Sequence, residues 1–449
     1  STGDDTVTVT GSGSGVSLTG SLDLGDGTNS LTMNSSAGSI ASVTSGTGDD
    51  TFSISAGSVT GAVSAGDGTN TLTISGASSS IGSYAGGSGI DSATLSGGDV
   101  MGNVSTGSGD DTVLISSTSS TIGGNLDLGA GTGDTLSYAG YGNAVSVTLT
   151  DITSTSGSTA AGGATAISGT AAGIENLVGG SNTSDTVTDS TGDSTIVISG
   201  ANSGTIDGMA FSAIENLSLS TGVDGVTVQS GGSLSGNLDL GDGTSNTLVM
   251  NSGAGAIGSV IAAGGNDTFT INGGTVTGAV NLGDGANSLT INNTASTIGS
   301  YTGGSGIDTI DSQGGDILGS VSTGSAADSL TLTLGASITG AVTLGANSDS
   351  SDGNDSLSLN ASSITGSVNT GSGADGASIT NASTLTGDLT LGVNSDSADG
   401  ADSLTVAGAS SSSKSVITGS ITTGGAGDSV DLTNATIGGA GQTFSLGSD

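Results

Sequence analysis

Apolar and polar residues alternate along this chain in short runs, and a glycine-flanked acidic turn separates one group of runs from the next. In residues 66–86 the turn Gly66-Asp67-Gly68-Thr69-Asn70 leads into Thr71-Leu72-Thr73-Ile74. Leu72 and Ile74 fall on one face there, and Thr71 and Thr73 on the other. A Gly/Ser link follows, and then Ile81-Gly82-Ser83-Tyr84 reads as a second strand. The second strand is clearer further on, where Ile338, Gly340, Val342 and Leu344 recur at every second position. A period of two in β-branched residues predicts strands, and no stretch keeps a 3.6-residue period. The absence of proline agrees, because every strand interior would need its N–H for a ladder.

The turns recur at a fixed step. Gly46-Thr47-Gly48-Asp49-Asp50, Gly66-Asp67-Gly68-Thr69-Asn70, Gly87-Ser88-Gly89-Ile90-Asp91 and Gly107-Ser108-Gly109-Asp110-Asp111 begin 20, 21 and 20 residues apart. A period this short predicts a solenoid. The fold expected is all-β: a parallel β-solenoid with coils of about 20 residues and two strands per coil. Leu72, Ile74, Val113, Ile115, Leu289 and Ile291 are its inward-facing positions.

A longer repeat lies above the coil. Residues 20–27 return as residues 236–243, Phe52 returns as Phe269, and Tyr84 as Tyr301. Residues 139–221 break the rhythm with a Ser/Thr/Ala/Gly tract at 153–172, expected to be an excursion or loose loop. Ile174-Glu175-Asn176-Leu177 recurs as Ile214-Glu215-Asn216-Leu217, so wider coils are expected to continue through that stretch. The organisation expected is a first solenoid array over 1–138, an irregular segment over 139–221, and a second array over 222–449. Two similar acidic inserts lengthen coils of the second array, with Asp349, Asp352 and Asp355 in one and Asp396, Asp399 and Asp402 in the other. Both ends of the chain look like mid-repeat, so a segment of a longer protein is expected.

Composition narrows the chemistry. Of 449 residues 87 are glycine, and the net charge is −39 with a single basic residue, Lys414. Nucleic acid is excluded as a partner because no basic patch exists to neutralise phosphates. Anionic membrane surfaces are disfavoured for the same reason, and no apolar run is long enough for membrane insertion. With no His, Cys or Arg the chain lacks the usual bases, nucleophiles and oxyanion clamps, so it reads as no enzyme. Apolar residues are 32% of the chain, too few for a thick core but enough for a thin one repeated coil by coil.

The remaining chemistry is that of aspartate, which accounts for every acid except Glu175 and Glu215. Asp suits turns and is a common calcium ligand. Gly86-Gly87-Ser88-Gly89-Ile90-Asp91 and Gly303-Gly304-Ser305-Gly306-Ile307-Asp308 fit the pattern Gly-Gly-x-Gly-x-Asp, with looser copies ending at Asp50, Asp111 and Asp267. This resembles the RTX calcium-binding nonapeptide, although here one copy occurs per coil rather than one every nine residues. The resemblance implies Ca²⁺ held by Asp50, Asp91, Asp111, Asp267 and Asp308 together with turn carbonyls. The other reading of the same residues is an Asn/Asp turn ladder that binds nothing specific. Aspartates stacked about 4.8 Å apart repel unless a cation or an intervening Asn relieves them. The inserts are open to the same pair of readings, calcium loops or solvated bulges.

In style, the glycine-rich turns, the Thr/Ser/Asp bias and the Ile-Glu-Asn-Leu phrases resemble bacterial S-layer proteins and giant RTX-type adhesins exported by type I secretion. That resemblance implies a secreted, calcium-binding structural protein of the bacterial cell surface. It would self-associate into a lattice, sheath or filament, with a surface polysaccharide as a further candidate partner. The alternative it leaves is the repetitive stalk of an adhesin.

Overall fold

The computed structural model describes residues 2–11, 15–153, 157–160, 163–345, 351–392, 398–425, 427–439 and 441–446, and the regular structure among them is β-strand. The strands stack in parallel from coil to coil, forming a β-solenoid with coils of about 20 residues. Two compact units are present: residues 1–194 with 201–218, and residues 195–200 with 219–449.

In the first unit Thr71–Ile74 lies in register between Thr51–Ser64 and Ser92–Leu95. Leu72 therefore stacks between Phe52 and Ala93, and Ile74 between Ile54 and Leu95. These side chains are buried, as are Val113 and Ile115. Alternation along the strand and in-register stacking across strands act together: each coil adds one layer of apolar side chains to a narrow core. Burial of one such side chain contributes about 1.5–3 kcal/mol. The second unit repeats the arrangement. Phe269, Leu289 and Ile310 form one buried column and Ile271 and Ile291 begin another.

The second strand of each coil bends at a glycine. Ser80–Ala85 pairs with Asp99–Val100 through its first half and with Val104–Ser105 through its second. Gly61, Gly82 and Gly102 stack at the bend, where successive backbones come into close contact. A Cβ on Gly82 would lie 2.6 Å from the carbonyl oxygen of Gly61. At Gly340 it would lie 2.5 Å from the carbonyl carbon of Gly319. Both are overlaps with backbone that no rotamer change relieves, so part of the high glycine content is a packing requirement.

Residues 139–218 show how the coil is varied. The tract after Thr153 is an excursion: Ser146–Thr153 and Gly157–Ala160 form an antiparallel hairpin, and Ser203–Ile206 with Met209–Ser212 forms another. The solenoid itself continues, as expected from the Ile-Glu-Asn-Leu repeat. Asn176–Val178 pairs in parallel with Thr135–Ser137, and Asn216–Ser218 with Thr186–Asp189.

A cavity made in one layer should be felt locally, because each coil touches only its neighbours. Phe52→Ala is expected to cost about 3–5 kcal/mol. The loss should appear in native-state hydrogen exchange as faster exchange at Leu31, Phe52 and Leu72, with residues 268–333 unchanged. Uniform loss of protection over both units would contradict nearest-neighbour stacking.

Candidate functional site: a buried carboxyl and amide column in the turns

The residue just before the first strand of each coil is Asn29, Asp50, Asn70, Asp91, Asp111 and Asp134 through successive coils of the first unit. All six are buried. A turn cannot continue the regular ladder, so its N–H groups need other acceptors. Each column residue supplies one to the preceding coil. The N–H of Asn29 donates to Oδ1 of Asp50 at 2.7 Å, that of Asp50 to Asn70 at 3.1 Å, and that of Asn70 to Asp91 at 3.0 Å. Asp91 donates in turn to Asp111 at 2.7 Å, and Asp111 to Asp134 at 2.6 Å. Asp134 donates to Oε2 of Glu175 at 2.9 Å, and Asp185 to Oε2 of Glu215 at 3.1 Å, so the two glutamates take the same part in the wider coils.

The second unit carries the same column through Asp224, Asn246, Asp267, Asn287, Asp308, Asp328, Asp355, Asp375, Asp402 and Asp428. A second, exposed set of acids caps the outer turn amides. Asp26, Asp67 and Asp284 accept from the N–H groups of Thr47, Ser88 and Ser305 at 2.7–2.9 Å. Hydrogen bonds from these residues hold the carboxyls below the usual aspartate range, the Ser88 hydroxyl foremost at Asp67 and the N–H groups foremost at Asp26 and Asp284.

The other half of each column side chain separates Asn from Asp. In Asn29, Asn70 and Asn287 the Nδ2 group donates back to two carbonyls of its own turn. For Asn70 these are Gly66 at 2.9 Å and Gly68 at 3.3 Å. Asn246 keeps only the Oδ1 bond. In Asp50, Asp91, Asp111, Asp134, Asp267 and Asp308 the corresponding atom is Oδ2, buried and without a hydrogen-bond donor. An acceptor stands there where Asn places a donor. Burial is the first cause of the resulting shifts. It pushes Asp91, Asp134, Asp267, Asp328 and Asp375 up to about 6, Asp308 to about 7, and Asp355 and Asp402 to about 8.

All five residues expected to bind calcium, Asp50, Asp91, Asp111, Asp267 and Asp308, lie in this column. Asp91 and Asp111 are consecutive in it. Asn70 stands between Asp50 and Asp91, and Asn287 between Asp267 and Asp308. Tyr84, buried beside Asp91, Asp111 and Asp50, and Tyr301, beside Asp308, Asp328 and Asp267, add a phenol to each set. Among the described residues no three acidic side chains converge as a metal-binding group. What each of these Asp turns offers a hard cation is one buried Oδ2 without a hydrogen-bond donor among the described residues. Oxygen is the donor type that Ca²⁺ takes, and the rest of a shell there would have to come from backbone carbonyls.

The described acids of the two inserts fold back on the solenoid. Oδ2 of Asp352 accepts from the N–H of Ser372 at 2.8 Å, and Oδ2 of Asp399 from that of Gly425 at 2.6 Å. Asp355 and Asp402 are column members, whereas Asp349 and Asp396 lie outside the described residues.

The position five residues before the column residue varies from coil to coil. Five residues before Asn29, Asn70 and Asn287 stand Leu24, Ala65 and Leu282, which have no hydroxyl. Five before Asp111, Asp328, Asp375 and Asp428 stand Thr106, Thr323, Thr370 and Thr423, whereas Gly86, Gly129, Ala262 and Gly303 hold that place before Asp91, Asp134, Asp267 and Asp308. The Thr370 and Thr423 hydroxyls lie 2.5 Å from Oδ2 of Asp375 and Asp428. No family model, curated protein or solved structure matches the chain.

Asn70→Ala is expected to leave the buried Asp50 N–H unpaired and to remove the Asn70 bonds from the half-buried Gly66 and Gly68 carbonyls. At about 1–3 kcal/mol for each orphaned group, it should destabilise more than removal of an exposed cap such as Asp26→Ala. Amide exchange at Asp50 is the local readout. An Asn70→Ala variant whose Asp50 amide stays protected would show that the column bond carries no stability.

Proposed function

We propose that this chain is part of a structural extracellular protein of the bacterial cell surface, one that self-associates into a lattice, sheath or filament. The observation that supports this reading is the use made of the buried polar groups. Coil after coil commits its carboxyl and amide side chains to backbone amides of the adjacent coil, and so to stacking rather than to a reacting centre. The reading gives the protein no catalytic role. It shares the glycine-rich acidic turns of S-layer and RTX-type proteins. A parallel solenoid also offers a long repetitive surface of half-exposed Thr and Ser, suited to lateral association with copies of itself.

Calcium belongs to this proposal. Asp50, Asp91, Asp111, Asp267 and Asp308 would hold it with carbonyl oxygens of the neighbouring glycines. A bound cation would supply the positive charge that their buried Oδ2 atoms lack, and binding to the folded form alone would add stability by mass action.

Electron microscopy of the protein in calcium is expected to show ordered sheets or filaments, dispersed by EGTA. Thermal melting in EGTA should begin at lower temperature than in calcium, at an ionic strength high enough to screen diffuse repulsion. Single particles at every calcium concentration would favour the adhesin-stalk alternative. An unchanged melting temperature with no bound metal by elemental analysis would remove calcium from the proposal.

A further inference from the structure

The two acidic inserts change two coils of the second unit in the same way. Each brings an aspartate, Asp352 or Asp399, to a place three residues before the column aspartate of its coil, Asp355 or Asp402. The carboxylate is seated between glycines of successive coils. A Cβ added at Gly345 or Gly371 would overlap Oδ2 of Asp352, and one added at Gly392 or Gly424 would overlap the Asp399 carboxylate. Backbone N–H groups of the following coil fix both: Ser372 donates to Oδ2 of Asp352 at 2.8 Å, and Gly425 to Oδ2 of Asp399 at 2.6 Å. An amide donated to a carboxylate favours its charged form. At the first insert Asn369 adds a neutral oxygen. Its Nδ2 donates to the Gly345 carbonyl at 3.2 Å, and its Oδ1 is buried with no donor.

The column aspartates differ according to whether their turn carries an insert. Asp375 and Asp428, in turns without one, each receive a threonine hydroxyl on Oδ2, from Thr370 and Thr423. Asp355 and Asp402, in the insert turns, are only 2% exposed, and their Oδ2 atoms have no hydrogen-bond donor among the described residues. Their Oδ1 atoms are already committed to the N–H groups of Asp328 and Asp375, at 2.7 and 2.8 Å. What surrounds the spare oxygens is further negative charge. After burial itself, the charges of Asp375, Asp352 and Asp328 oppose an anion at Asp355, and those of Asp375, Asp399 and Asp428 oppose one at Asp402. No basic side chain is among these groups.

Twice, then, the chain buries one carboxylate acceptor close to another where the neighbouring turns supply a hydroxyl donor. Two acceptors cannot bond each other, so something positive has to lie between them. We propose that each insert closes a site for a hard divalent cation, Ca²⁺, held between the carboxylates of Asp352 and Asp355 in one coil and of Asp399 and Asp402 in the other. Two carboxylates balance the charge of such an ion, and carbonyls of the glycine turn would complete its oxygen shell. Mg²⁺ keeps several of its waters, so a buried turn favours the larger ion. The insert thereby supplies the second carboxylate that a turn such as that of Asp50 lacks. The sites use none of Asp50, Asp91, Asp111, Asp267 and Asp308, and they stand if those turns hold no metal.

The test is calorimetric titration with calcium chloride of the full chain, stripped with EGTA and freed of the chelator. The parent is compared with Asp352→Asn, Asp399→Asn and the double variant. Each single variant is expected to bind one ion fewer than the parent, and the double variant one fewer for each insert. The new amide would donate to Oδ2 of the column aspartate, so the metal-free variants should melt no lower than the metal-free parent. Calcium should also slow amide exchange at Ser372 and Gly425 in the parent and leave it unchanged in the double variant. A double variant that binds as many ions as the parent would overturn the inference, as would a parent whose Ser372 and Gly425 amides ignore calcium. A proton shared by the two acids would give that result. The exchange measurement on the parent decides the matter even if a variant fails to fold. Ions still bound by the double variant belong to the column turns, so the calcium proposal for those turns is read separately and fails if none remains.

Discussion

The fold depends on one exchange between neighbouring coils: a turn N–H that cannot join the ladder is taken up by the side chain of the residue that begins the next coil. Strand pairing alone would stack these coils, but the turns would leave buried amides unpaired at every level, each a penalty comparable to a lost hydrogen bond. The Asn/Asp column removes that penalty in both units. It thereby lets a chain with a thin apolar core remain ordered. Leu72 or Ile291 contributes burial, but the layer it belongs to can close only because Asn70 or Asn287 has closed the turn beside it.

Much of this was legible in the sequence. The strands at Thr71–Ile74 and Ser288–Ile291 follow from alternation, and their parallel stacking follows from the 20-residue step. The special position of Asp50, Asp91, Asp111, Asp267 and Asp308 was visible as the end of a glycine turn. Their burial was not, because an aspartate in a polar turn looks the same whether its oxygen meets water or the amide of a coil 20 residues away. The kink at Gly82 was hidden for a related reason. Period-two patterning ignores main-chain approach, and only the stacked coordinates show why a Cβ is excluded there. Glu175 and Glu215 were recognisable as a repeat but not as column members, since their longer side chains do the work of aspartate across wider coils.

The formal charge of −39 also looks different once the acids are sorted by place. Exposed caps such as Asp67 are true anions, held so by donated hydrogen bonds. Buried members such as Asp308 sit where an anion is disfavoured by desolvation and by the neighbouring Asp328. The first kind keeps the surface negative. The second kind makes the interior sensitive to whatever neutralises it. One residue type thus serves two ends, separated by its position in a five-residue turn.

The bonds of the buried column run in one direction, opposite to those of the exposed caps. The N–H of Asp50 reaches to Asn70, never back to Asn29, and the same holds from Asp224 to Asp428. The column amide of each coil is therefore satisfied by the coil that follows it in the chain, and its outer turn amide by the coil before. A solenoid of this kind has a growing tip: as coils are laid down from the N-terminal side, every new turn seals the column amide beneath and leaves its own column amide for its successor. A polypeptide delivered amino end first would always expose a single unfinished layer, and ordering would advance at the pace of delivery rather than wait for the whole chain.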